Sequence, residues 1–210
     1  MQCYSMFHLI RYTVIAIFLT CSYDFASAEN HTGSHVIKSL NASLLSMMRE
    51  ADNLGFEGRH SHMTPVVKKS FDMSLIARLA TGKYWDKFSA EEQDQLVESL
   101  EQLAITTYAA RFKENSGVTF RILSEELTKE GALKVNSELI KGDGEAIILN
   151  YVMYGGAKKW RIVDVHFLGK YSELSLRRSE YLSALSVGGI ERLLSAINEK
   201  IDGYKTGALQ

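Results

Sequence analysis

Two changes of hydrophobic period divide this chain, and they constrain its fold more than any other feature. Up to Phe112 the apolar residues recur about every 3.6 positions, the spacing of a helix face. From Val118 they alternate in twos, as on a half-buried strand, and from Ser172 the helical spacing returns. A run of helices, a run of strands and a final helical stretch predict an α+β domain.

In the first stretch Ile37, Leu40, Leu44, Met47, Met48 and Ala51 share one face of a helix predicted over 36–51. Gly55 and Gly58 read as its break, 59–63 as a loop and 65–70 as a short helix. Another helix is predicted over 72–81, stopped by Gly82. The clearest start signal is Ser89, which forms a capping box with Glu92, while Glu91 and Glu92 complement the positive end of the helix. The stripe that follows runs Leu96, Val97, Leu100, Leu103, Ala104, Tyr108 and Phe112, and Asn115-Ser116-Gly117 reads as its end.

In the second stretch Val118, Phe120 and Ile122 alternate with polar residues, as do Leu133, Val135 and Leu139. Strands are also predicted over 145–154 and 159–168. The connections Lys129-Glu130-Gly131, Gly142-Asp143-Gly144 and Gly155-Gly156 are hairpin chemistry. Four sequential strands with short turns form an antiparallel meander. Helices over 172–185 and 190–204 follow, the second with Ile190, Leu193, Leu194, Ile197 and Ile201 on one side. The expected architecture is a curved antiparallel sheet of about four strands, covered on one face by helices. An apolar cleft between the layers is compatible with that pattern, and so is a filled core, because periodicity does not separate them.

Residues 1–28 read as a secretory signal: Arg11 supplies the positive end, 12–19 is a short apolar core, and Ala26-Ser27-Ala28 fits a small-residue cleavage site. Both cysteines, Cys3 and Cys21, precede the cut, so no disulfide would staple the exported body. The 210 residues less these 28 leave 182, enough for one domain over 29–210 with its own core. Removing Arg11 and Asp24 leaves 23 basic against 24 acidic residues, which argues against nucleic acid as a partner. Pro65 is the only proline, and no later apolar run reaches the ~20 residues a spanning helix needs. The expectation is a periplasmic, soluble single domain.

Few residues suggest chemistry. His60 and His62 form a His-x-His pair, with His31 and His35 upstream, but no convincing further ligands accompany them, and neither a metal nor another cofactor is expected. Asp164 and His166 sit at i and i+2 on a strand and so point the same way. They read either as an acid–base pair or as a hydrogen-bonded structural pair. There is no nucleophile elbow, Walker loop or dinucleotide fingerprint, and Gly142-Asp143-Gly144 is a turn. Lys158, Lys159 and Arg161 surround Trp160, and Arg177 and Arg178 form a second basic pair, suited to anionic headgroups or simply to solvent. Tyr84, Trp85, Tyr108, Phe112, Tyr151, Trp160 and Phe167, with Met47, Met48, Met73 and Met153, supply aromatic and flexible apolar bulk for a core or for an irregular ligand.

Three segments carry a family resemblance. Phe71-Asp72-Met73-Ser74-Leu75-Ile76-Ala77-Arg78 followed by Gly82-Lys83-Tyr84-Trp85, the Ser89 helix through Thr107, Tyr108 and Phe112, and Lys159-Trp160-Arg161-Ile162-Val163-Asp164-Val165 with Gly169, Ser172 and Leu174 resemble, in order, the toluene-tolerance family of MlaC-type periplasmic lipid-binding proteins. Arg177 stands where that family commonly has a tyrosine and Tyr181 where it has a phenylalanine. The Arg-Arg-Ser-Glu run and Gly188-Gly189 look more like the hopanoid-associated HpnM branch.

The resemblance implies a non-enzymatic carrier whose cleft holds a phospholipid or hopanoid-type lipid. It also implies partners: an inner-membrane ABC or RND-type transporter and an outer-membrane complex. The expected lining is Ile76, Leu79, Tyr84, Leu100, Tyr108, Phe112, Tyr151, Val163, Val165 and Phe167, the last three grouped by strand parity. Two other functions remain open at this point. One is a small α+β hydrolase or isomerase using Asp164 and His166; the other is an envelope assembly factor that binds a membrane protein through its helical face.

Overall fold

A computed structural model describes residues 32–114, 117–156 and 159–209. The proposed signal, His31, Asn115, Ser116 and Lys158 lie outside them. Five α-helices, one 3-10 turn and five strands follow in the order α1 Gly33–Arg49, α2 Ala51–Ser70, α3 Met73–Thr81, the 3-10 turn Gly82–Lys87, α4 Ala90–Arg111, β1 Thr119–Leu127, β2 Leu133–Ile140, β3 Ala146–Tyr154, β4 Arg161–Phe167, β5 Tyr171–Ser172 and α5 Glu173–Thr206. The strands pair in sequence order, all antiparallel. The α+β reading holds, with one strand more than expected.

The extra strand is β5, two residues long and paired with β4 through His166 with Ser172 and Phe167 with Tyr171. Two residues are too few to display an alternation, so the sequence runs straight from β4 to the cap of α5. That cap is Ser172, whose side chain accepts from the Ser175 N–H at 2.9 Å.

Residues 59–63 are helical, not loop. The chain bends at Gly55 (φ +59) and then continues through Gly58 and Pro65 to Ser70. No apolar stripe marks this segment, and side-chain bonds to neighbouring backbone hold it instead. Arg59 donates from Nε to the Ala109 carbonyl (2.8 Å), near the end of α4, and from Nη1 to Ala51 (3.1 Å). His62 donates to the Ser43 carbonyl of α1 at 3.2 Å, and His60 sits 6.1 Å from the Phe56 ring. His62 thus ties α2 to α1, while His60 packs within α2 itself.

The capping box at Ser89 forms as expected, the Glu92 N–H donating to Ser89 Oγ (3.2 Å) and the Ser89 N–H to Glu92 Oε2 (2.7 Å). α4 ends at Arg111, ahead of the expected stop. The helical register breaks again inside α5, where Gly188 and Gly189 (φ +64) separate the two helices expected there.

Cross-strand rows build the inner face of the sheet: Leu133 with Met153 and Ile162, Val135 with Tyr151 and Val165, Ser137 with Leu149 and Phe167. Against it lie Ile37, Leu40 and Leu44 of α1, Ile76 and Ala80 of α3, Leu100 and Ala104 of α4, and Tyr181 and Leu185 of α5 in a single apolar cluster. Between α2 and α3, Asp72 N–H donates to the Ile162 carbonyl of β4 at 2.9 Å, pinning the helical layer to the sheet. At the other end Ser34 N–H, in the first turn of α1, donates to Glu125 of β1 at 2.8 Å.

Candidate functional site

Between the pinned points the two layers do not close. A cavity of about 220 Å³ lies between sheet and helices. Leu44, Phe71, Met73 and Ile76 form part of its helical wall, with Ala104, Thr107 and Tyr108 from α4. Phe120, Leu149, Tyr151, Val163, Val165 and Phe167 form the sheet wall, and Leu174 closes the side toward α5. Phe71, Tyr108 and Phe112 make a ladder of rings, with centroids 6.1 Å and then 5.8 Å apart.

Seven of the ten residues expected from sequence meet here: Ile76, Tyr108, Phe112, Tyr151, Val163, Val165 and Phe167. Parity accounts for the β4 group, and a bulge at Val163 lets both Ile162 and Val163 turn inward. The other three lie elsewhere. Leu100 is fully buried in the core, Leu79 is exposed on α3, and Tyr84 stands in the 3-10 turn with Lys83 and Lys87 each 5.5 Å from its ring. Phe120 and Leu149 had a readable signal, since both obey the same alternation as Ile122 and Tyr151. Leu44 had none, because helix periodicity says only that a face is buried, not what it is buried against, and Phe71, extended between α2 and α3, belongs to no helical period.

Charged groups border this apolar space at a few points: Arg111 at the end of α4, Asp164, and Glu173 and Arg177 on the first turns of α5. Arg177 is not a solvated surface cation, as its pairing in sequence with Arg178 suggested. It donates from Nε to Glu173 at 2.8 Å, and although burial opposes its charge, Tyr181 and Glu173 hold its pKa above the ordinary value. Burial drives the Tyr108 phenol well above its usual pKa, with Arg177 opposing and Glu173 adding. Burial does the same to Tyr151, helped by neighbouring Tyr108. Both phenols are neutral at any physiological pH.

Asp164 and His166 come together as their spacing predicts, but as part of a scaffold. Asp164 Oδ1 accepts from the N–H groups of Val165 (2.8 Å) and Leu174 (2.9 Å), and Oδ2 from Ser172 Oγ (2.6 Å) and His166 Nε2 (2.9 Å). A carboxylate has about four acceptor positions, and all are filled. The group ties β4 to β5 and α5.

Fold and cavity together define an α+β protein with a partly open apolar space between helices and an antiparallel sheet. The MlaC protein family matches residues 38–199, and the chain belongs to that family. Among solved structures it is similar to the phospholipid-binding protein from Ralstonia solanacearum, determined in complex with a phospholipid. That match has a TM-score of 0.70 at 16% identity and covers 83% of this chain and 99% of that one. No curated protein matches the sequence.

Proposed function

We propose that this chain is a non-enzymatic lipid carrier of the periplasm, exported through residues 1–28, that moves a phospholipid or hopanoid-type lipid between membrane transport components. The observation that carries the reading is the apolar cavity between sheet and helices in a chain of the MlaC family. The Ralstonia protein with the same fold was solved holding a phospholipid, which supports lipid as the cargo class. The partners that fit such cargo are an inner-membrane ABC or RND-type transporter and an outer-membrane complex.

Energetics explain why a carrier is needed and why it needs partners. Two lipid chains hold roughly 30 methylenes, and at ~0.8 kcal/mol each their exposure to water costs on the order of 20 kcal/mol. Transfer therefore proceeds from one dry environment to another, with no bond made or broken. The cavity, at about 220 Å³, is below the ~300–1,000 Å³ of pockets for drug-sized ligands. A two-chain lipid is larger than this volume, so it either extends out of the cavity or widens it.

Native mass spectrometry and lipid extraction of the purified protein test the reading. Lipid should accompany the wild type. Val165→Glu, which places a charge in the cavity wall, should lower occupancy tenfold or more while the circular dichroism spectrum stays unchanged. Protein that carries no lipid and acquires none from vesicles would overturn the proposal.

A further inference from the structure

The turn between β4 and β5 carries a residue that its own geometry disfavours. Lys170 N–H donates to the Phe167 carbonyl at 3.1 Å, and the two residues between them, Leu168 (φ +51) and Gly169 (φ +70), both occupy the left-handed region. This is the type I′ hairpin turn, whose first central position favours Asn, Asp or Gly. Leu168 is the one non-glycine residue with positive φ among the described residues. A leucine there strains the backbone, and burial does not compensate, because its side chain is 54% exposed.

Its neighbours share that character. Phe167 is 40% exposed, Tyr171 67%, and Leu176 on the first turns of α5 58%. Lys170 is exposed between them, and Glu173, the nearest acid in sequence, is taken up by Arg177. Phe167 also lines the cavity, as does Leu174. The exposed apolar tip and the cavity wall are thus continuous through one side chain.

We infer that this turn is a membrane-docking tip, seating Leu168 and Tyr171 in the interfacial layer of a bilayer that contains anionic lipid, with Lys170 among the headgroups. The inference rests on the carrier reading and adds to it the surface against which the cavity opens. A specific protein interface covers about 800 Å² per partner with some 20–30 residues, whereas the tip offers three large apolar side chains on five residues. That is a point suited to insertion. Tyr171 presents an apolar ring with a polar end, and Lys170 can bury its stem while keeping its charge at the headgroups.

The test separates docking from folding because one substitution should move them in opposite directions. Leu168→Asn gives the turn a residue it favours and removes the aliphatic group. It should melt at or above the wild-type temperature, yet bind vesicles of phosphatidylcholine and phosphatidylglycerol about tenfold more weakly in flotation. Lys170→Glu should weaken binding to those vesicles and leave binding to phosphatidylcholine alone unchanged. Lipid co-purifying with both variants should match the wild type, since neither residue lines the cavity. Vesicle binding that is undiminished in Leu168→Asn, or absent from the wild type, would overturn the inference. Loss of co-purifying lipid from all three proteins would count against the carrier reading instead.

Discussion

Tyr108 and Tyr151 face each other's surroundings across the cavity, one from α4 and one from β3, and burial raises the pKa of both above 10. In the unfolded chain each phenol ionises near its ordinary value; in the folded protein each keeps its proton. Above pH 10 the unfolded state therefore binds fewer protons than the native state, and stability falls as pH rises, by about 1.4 kcal/mol per pH unit for each phenol. Below pH 10 neither contributes. Chemical denaturation between pH 9 and about 11.5 should show this decline, and Tyr108→Phe and Tyr151→Phe should each make it shallower. At this scale the sequence was informative where a side chain's direction follows from its neighbours. Asp164 and His166 point the same way because two strand steps separate them. That Asp164 is fully occupied was not readable, since two of its four donors, Ser172 and Leu174, reach it only when α5 turns back over β4.

Secondary-structure elements were legible in proportion to how strongly each expressed a single period. α4 declared its start through Ser89 and Glu92, and β2 through strict alternation. The middle of α2 expressed neither, because Arg59 and His62 hold it through backbone carbonyls of α4, of α1 and of its own first turn, contacts that leave no apolar pattern. In α5 the break at Gly188 and Gly189 was visible as a glycine pair, and the structure gives the reason. Gly189 sits at φ +64 with nothing within 4 Å of where a Cβ would stand, so any penalty there is one of backbone conformation alone. Gly189→Ala should cost about 1–2 kcal/mol without a steric component, measured as a lower denaturation midpoint with an unchanged m-value. An unaltered midpoint would mean that the two halves of α5 can realign without strain.

Across the whole molecule the outline was readable and the interior was not. A sheet under helices follows from period changes alone. Whether the layers touch depends on side chains such as Leu44 and Ala104, whose helix faces look equally buried in either case. If the cavity is lipid-filled in the cell, cargo must stabilise the protein by mass action, about 4 kcal/mol at a thousandfold excess over Kd. Protein stripped of lipid should then melt roughly 10 °C lower, and adding lipid back should restore the transition. Equal melting temperatures would mean that the hollow does not contribute binding energy to folding.

Each strand pairs with the one next to it along the chain, and no crossover interrupts the series. The β-layer can consequently assemble hairpin by hairpin, closing only short loops. Seating α1 against β1, by contrast, joins Ser34 to Glu125 over 91 positions. Seating the roof is thus the entropically costlier step, and the chamber beneath it exists only once that long closure has been made.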